Sequence, residues 1–297
     1  MRVLEQILIQ TINGLVNGMI LALVASGLTL IFGIMDVVNF AHGDLVMLGA
    51  FVGATTVGVT GSFWSGLVAA ALVIGLFGAV LQLTALRPLL RRAAPNSILA
   101  TSLSTILATF GLSLVLQKYA LWQWGPSARK IPEPIEAQFS LFYLKYPWYR
   151  IATALLSAAI IGALYLFLKR SKYGIWIRAT TQDPIMAEAM GIPVPRVHTG
   201  VFALGAAMAA ASGVLFGPLA GVTQTIGFDF TLRAFIVVVV GGMGNLGGSI
   251  LASIFISLLE AYASLIVSPA QAVIVSFVAL ILVLLFRPTG LFVPTPK

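Results

Sequence analysis

The chain has 297 residues, of which 59% are apolar and only 9% are charged. A soluble domain carries about 25% charged residues, so this chain cannot cover a water-facing surface and must place apolar side chains against lipid. That excludes a soluble enzyme, a nucleic-acid-binding module and a disordered scaffold. The net charge of +8 is read as a record of membrane orientation, because basic residues collect in cytoplasmic loops. The absence of cysteine excludes disulfides and thiolate metal sites.

Apolar stretches recur along the whole chain with no linker or low-complexity tail, and a helix needs about 20 such residues to cross a bilayer. We therefore predict one transmembrane domain, residues 1–297. Its fold class is all-α, a polytopic membrane helix bundle of about 8–9 transmembrane helices with broken or re-entrant segments. Small residues four apart, such as Gly14/Gly18 and Gly49/Gly53, predict close helix packing. The predicted spans lie near 7–34, 45–60, 62–86, 97–117, 148–168, 197–220, 231–245, 248–267 and 270–286.

Lys and Arg are concentrated in the loops 87–96 and 169–196 and near the C-terminus, which predicts that these segments are cytoplasmic. The loop 118–147 is then periplasmic. If the chain has nine spans, its N-terminus is outside. If it has eight, its N-terminus is cytoplasmic.

A polar segment, residues 33–44, interrupts the first apolar region and brings Asp36, Asn39, His42 and Asp44 between two membrane segments. In one interpretation it is a polar loop at the cytoplasmic surface, with Asp44 capping the next helix. In the other it packs inside the protein and helps to define the solute path. A metal site is not expected, because no second imidazole is near.

A short helix is predicted in the loop 169–196. Asp183 suits the N-cap and Pro184 the first helical position. Gly191 suits the residue after the helix, and Pro193 prevents its continuation.

The same helix carries an apolar stripe made by the i, i+4 pairs Ile185/Ala189 and Met186/Met190. Isolated helices this short are marginal in water, so it must pack on something. It either docks on its own membrane domain or at the lipid headgroups, or enters a groove of a cytoplasmic subunit and passes motion to the spans.

A glycine cluster, residues 241–248, contains a formal G-x-G-x-x-G. It joins two membrane segments rather than opening a βαβ unit, so a nucleotide site is not expected. We predict a tight re-entrant turn in which Asn245 satisfies freed backbone groups.

Three further charged residues need partners. Asp229 and Arg233 are i, i+4 and are predicted to pair. Glu260 lies within a predicted span, and its carboxyl is either functional, paired or protonated. The chain has no G-x-x-x-x-G-K-[ST], so it does not itself bind ATP in a P-loop.

Several motifs together resemble the LivH-type permease subunits of branched-chain amino acid ABC importers, and the resemblance runs through essentially the whole chain. The matching segments are Ala-Ser-Gly-Leu-Thr-Leu-Ile-Phe-Gly (25–33), Asn-Phe-Ala-His-Gly (39–43), Ile-Arg-Ala (177–179), Asp-Pro (183–184), Met-Gly-Ile (190–192) and Phe-Arg-Pro-Thr-Gly (286–290).

The resemblance implies a permease in the bacterial inner membrane that forms a heterodimer with a LivM-like second permease. Two cytoplasmic LivG/LivF-like ATPases, which bind ATP and Mg, and a periplasmic substrate-binding protein complete the importer. This chain itself would hold no cofactor or metal and would bind no nucleic acid. The implied coupling residues are Arg178, Ala179, Asp183, Pro184, Ala187, Glu188, Met190 and Gly191, and the implied substrate-path residues are Asn39, His42, Gly43, Asp44 and Asn245.

The solute stays open at this point. Similar permeases serve Leu, Ile and Val, other neutral amino acids, urea and amides, or small aromatic acids. Two rival classes are an ion-coupled secondary carrier using Glu260, Asp36 or Asp44 and an intramembrane enzyme using His42 and Asp44.

Overall fold

The computed structural model describes residues 2–92, 98–141 and 144–292, and over these residues the predicted all-α membrane bundle is confirmed. One small two-stranded antiparallel sheet is the exception. The elements are α1 (Arg2–Met35), α2 (His42–Thr60), α3 (Phe63–Leu81) with a π-helical turn (Gln82–Leu86), α4 (Arg87–Arg92), α5 (Ile98–Trp124), β1 (Gln138–Leu141), β2 (Leu144–Pro147), α6 (Trp148–Arg170), α7 (Lys172–Gln182), α8 (Pro184–Ala189), α9 (Val194–Ala220), α10 (Ile226–Gly241), α11 (Leu246–Ala263) and α12 (Pro269–Phe286).

Seven helices among the described residues are long and apolar enough to cross a bilayer: α1, α2, α3 with its π turn, α5, α6, α9 and α11. The predicted spans 231–245 and 270–286 are also helical, as α10 and α12. The 16 residues of α10 extend about 24 Å at 1.5 Å per residue, less than the ~30 Å hydrocarbon core. Seven helices meet the length criterion among the described residues, and the predicted 8–9 spans are reached when α10 and α12 are counted as well.

Helices α1 and α9 form the centre of the bundle, and glycines let their neighbours approach closely. A Cβ on Gly27 of α1 would lie 2.8 Å from the carbonyl oxygen of Gly205 on α9. A Cβ on Gly49 of α2 would collide with Ala210 of α9, and one on Gly14 would lie 2.9 Å from Leu258 of α11. These contacts support the predicted packing of small residues in lipid.

The bundle has two distinct ends. At one end, Gly33 of α1 contacts Gly244, and the C-terminal segment pairs with α10 through Leu291 N–H donating to Val240 O at 2.8 Å. The segment 169–196 lies at this end too, so we call it the basic end. At the other, the hairpin end, Arg129 and Val222 exchange two backbone hydrogen bonds of 2.8 and 3.0 Å.

The two predicted loops contain more regular structure than their sequences indicated. Helix α5 runs to Trp124, so the predicted loop 118–147 begins only at Gly125 and includes the β1–β2 hairpin. The segment 169–196 also contains α7, which precedes the predicted short helix and was not predicted from the sequence.

Candidate functional site

The polar segment after α1 turns back into the bundle. Asp36 ends α1 with a φ of +51°, the left-handed conformation that commonly terminates helices. Helix α2 begins at His42, whose Nε2 donates to the carbonyl of Val24 at 3.2 Å. Val24 lies about 16 Å along α1 from Met35 at 1.5 Å per residue. Residues 36–41 therefore return from the basic end to the interior before α2 starts.

The polar side chains of this segment are buried rather than solvated. Asn39 is 3% exposed, and His42 and Asp44 are fully buried. Helix α2 begins after Ala41, so Asp44 is not its N-cap and the surface-loop interpretation is wrong. The Asp44 Oδ1 instead accepts a 3.2 Å hydrogen bond from Nε2 of Gln117 on α5.

Three buried polar atoms of the segment have no hydrogen-bond partner among the described residues: Asn39 Nδ2, His42 Nδ1 and Asp44 Oδ2. Buried polar groups are normally satisfied, because leaving one unpaired costs about 1–3 kcal/mol. A cluster of three at one break is therefore an unusual concentration of free hydrogen-bonding capacity inside the bundle.

The first turns of α2 and α10 meet at this break. The hydroxyl of Thr231 accepts from the Gly43 N–H at 3.1 Å, and a Cβ on Gly43 would collide with Gly227 and Thr231. The Asp44 Oδ1 lies 2.6 Å from the position of a Cβ on Gly227. Since helix N-termini carry partial positive charge, the Asp44 carboxylate lies where both helices favour an anion.

Sequence reasoning missed three residues that complete this region. Gln117 and Thr231 are polar residues within apolar helices, a signal that was present but not used. The Phe40 ring lies between Phe110 of α5 at 6.4 Å and Phe235 of α10 at 6.0 Å between centroids. Nothing in the sequence around Phe40 indicates those partners, which come from distant helices.

Asn245, assigned to the same path by resemblance, lies elsewhere. The predicted tight turn is confirmed by positive φ at Gly242 and Gly244. The Asn245 Oδ1 caps α11 by accepting from Gly248 N–H at 3.1 Å, and its Nδ2 donates to Phe292 O at 3.1 Å. Since Gly244 lies beside the end of α1, Asn245 is at the basic end and not beside His42.

The short helix α8 forms as its sequence predicts. The Asp183 Oδ1 accepts 2.9 Å hydrogen bonds from the N–H groups of Ile185 and Met186, with Pro184 at the first helical position. Gly191 follows the helix with a φ of +84°.

The apolar stripe of α8 is exposed in this chain. Ile185 is 82% exposed, Met186 57% and Met190 78%, whereas Ala187 is only 4% exposed and faces its own chain. Docking of the stripe on its own membrane domain is therefore not seen among the described residues, and docking at the lipid headgroups or on a cytoplasmic subunit stays a prediction.

The remaining predicted coupling residues surround α8. The Arg178 guanidinium donates to the carbonyl of Leu168 and so ties α7 to α6. Ala179 is half-buried on α7, and Glu188 is exposed on α8.

The predicted Asp229–Arg233 pair is wrong. Arg233 Nη1 lies 3.4 Å from Glu260 Oε2, which is the one ion pair among the described residues, and Ser276 donates to Glu260 Oε1 at 2.6 Å. Asp229 is exposed. A carboxylate inside the bundle gains more from a cation than an exposed one does. Glu260 was predicted to be functional, paired or protonated, and the structure shows it paired.

Over the described part of the chain, no three His, Asp or Glu side chains come together as metal ligands.

The chain is similar in sequence to known proteins over nearly its whole length. The model of the family described as branched-chain amino acid transport system, permease component, matches residues 10–284. The chain is 32% identical to the high-affinity branched-chain amino acid transport system permease protein LivH of Salmonella typhimurium, over 95% of this chain and 94% of that protein. The identity to LivH of Escherichia coli is also 32%, and to BraD of Pseudomonas aeruginosa it is 30%, with the same coverage.

No solved structure matches the chain. Seven helices of membrane-spanning length and the family match together identify a multi-pass membrane transport protein. The chain belongs to the family of permease components of branched-chain amino acid transport systems.

Proposed function

We propose that this chain is one membrane subunit of an ATP-binding cassette importer that moves branched-chain amino acids across the bacterial inner membrane. A LivM-like permease is its membrane partner, two LivG/LivF-like ATPases bind ATP and Mg, and a periplasmic protein delivers the solute. Support comes from the family and from relatives named as branched-chain amino acid permeases.

The observation that carries the coupling mechanism is the exposed stripe of α8. A six-residue helix is too short to persist alone in water, yet Asp183 caps it and Ala187 anchors it to the chain. Its apolar residues, Ile185, Met186 and Met190, point away from the bundle. Burying one such side chain gains about 1.5–3 kcal/mol, so the stripe suits an apolar groove on an ATPase.

The connection from α8 to the spans runs through α7 and α9. Helix α7 is tied to α6 by Arg178, and α9 follows α8 within four residues. A displacement of α8 by ATP-driven ATPase closure is thereby passed to α9, which lies at the bundle centre. Such coupling shifts the population between inward- and outward-facing states.

The break at Asn39–Asp44 is the proposed solute-path element of this subunit. Its three unpaired buried atoms offer hydrogen bonds to a polar solute, and its ends are held by α5 and α10 through Gln117 and Thr231. A shift of either helix would change the exposure of these groups. Asn245 is left with a structural role as a helix cap.

Two alternatives have less support. An importer for urea, amides or small aromatic acids would share this geometry, since the delivering protein selects the solute. Of the carboxyls that an ion-coupled carrier would use, Glu260 is already paired with Arg233, whereas Asp44 keeps one oxygen unpaired among the described residues, so the uptake experiment decides for or against that alternative.

The test is reconstitution of the chain in vesicles with its four partners and measurement of radiolabelled leucine uptake. We expect uptake to require ATP and the binding protein and to persist in the presence of a protonophore. Uptake by the chain alone that stops with the protonophore would overturn the proposal in favour of the carrier.

A further inference from the structure

A polar cavity lies within this one chain, in the half of the bundle towards the hairpin end. It has a volume of about 210 Å³ and is lined by residues of α1, α6, α9, α10 and α11. That volume is below the ~300–1,000 Å³ of pockets for drug-sized ligands, so it fits only a small molecule. Its polar lining is Asn17, Arg150, Arg233 and Ser257, and its aromatic lining is Phe216 and Phe230.

One of the two cations in the cavity lacks a carboxylate partner. Arg150 Nη1 donates to Asn13 Oδ1 at 2.6 Å, and its guanidinium lies 5.9 Å from the centre of the Tyr146 ring. Among the described residues no carboxylate lies within 4 Å of Arg150, because the one ion pair there is Arg233–Glu260.

The two arginines and Glu260 together leave one unbalanced positive charge beside the cavity. Charged groups within membrane segments are costly and are normally paired or used by a solute. A guanidinium has two parallel N–H groups that match a carboxylate. The guanidinium of Arg150 has no carboxylate partner among the described residues and lines a small cavity, so it is suited to an anion that enters and leaves.

We propose that this cavity is a binding site for the carboxylate of a small apolar amino acid on its way through the permease, with Arg150 as the contacting residue. The rings of Phe216 and Phe230 provide an apolar wall for the side chain, as an aliphatic amino acid requires. The site deepens the proposed function and rests on it.

The cavity also lies where a delivered solute would enter. Arg150 is in the first turn of α6, directly after the β1–β2 hairpin at the end opposite α8. A phosphate headgroup of a lipid offers similar anionic chemistry, but the aromatic walls and the small volume favour a free amino acid.

The test measures binding of radiolabelled leucine to the assembly of both permeases and both ATPases without the binding protein. We expect saturable binding that unlabelled leucine displaces. Leucinol, which has an alcohol in place of the carboxylate, and inorganic phosphate should compete at least about tenfold less well, as expected for loss of a charge-assisted hydrogen bond.

Three variants separate an effect on leucine recognition from an effect on folding. R150Q should weaken leucine binding by on the order of tenfold, and R150K should bind more tightly than R150Q because it restores the charge. The control K145Q removes an exposed charge of the same hairpin outside the cavity and should bind as the parent does.

Each contrary result overturns the inference by itself. These results are no leucine binding by an assembly that supports normal uptake, equal competition by phosphate or leucinol, or an unchanged R150Q. Failure of the proposed function is distinct, since it appears as a lack of ATP-dependent leucine uptake by the complete importer.

Discussion

Removal of the α8 cap is the perturbation that most sharply separates helix formation from the rest of the fold. Asp183 is exposed, and its Oδ1 accepts two backbone hydrogen bonds of 2.9 Å, from Ile185 and Met186. Replacing an N-cap Asp by Ala costs about 1 kcal/mol, within a range of roughly 0.5–2. The cost falls on a helix of six residues, so the equilibrium constant for forming the helix should drop about fivefold.

The assay is ATP-driven leucine uptake by the reconstituted importer, with ATP hydrolysis measured in parallel. D183A should lower uptake by up to about fivefold relative to hydrolysis, while the amount of inserted chain is unchanged. D183N is the matched control, because Asn caps helices as well as Asp does, and it should retain most of the uptake. Normal transport by D183A, or a D183N variant as defective as D183A, would contradict a coupling role for the capped helix.

Two stability predictions follow from the bundle interior. G43A should destabilise the chain by about 1–3 kcal/mol, because its methyl group would collide with backbone at Gly227; the control G162A, in α6 where a Cβ meets nothing within 4 Å, should be neutral or stabilising. Equal thermal midpoints would contradict this. E260A should cost about 1–3 kcal/mol by leaving Arg233 unpaired, less than the ~3–5 kcal/mol of fully buried pairs because Arg233 is 35% exposed. An unchanged melting temperature of E260A would argue against the pair.

Local chemistry made α8 predictable. Asp183, Pro184 and Gly191 each act within a few residues of their own position, so capping and φ preferences were sufficient. The turn at Asn245 was predictable for the same reason. In both cases the hydrogen bonds that define the structure are close in the sequence.

Contacts between residues far apart in the sequence could not be predicted from capping and φ preferences. The partner of Arg233 was predicted on its own helix as Asp229, but Glu260 on α11 is the partner. The break at 36–41 was visible as a polar interruption, whereas its depth is set by contacts of His42 with Val24 and of Gly43 with α10. Tertiary packing determines these pairings, and the local sequence pattern does not show which distant residues meet.

Accessibility of α8 in the assembled importer shows directly whether its apolar stripe docks on an ATPase. The chain has no cysteine, so M186C introduces a single thiol at a position 57% exposed, and A187C places one at a neighbouring position only 4% exposed. In the chain alone, M186C should react with a water-soluble thiol reagent and A187C should not. When the ATPases are bound, M186C should be protected from the reagent. Equal labelling of M186C with and without the ATPases would contradict docking of the stripe on an ATPase.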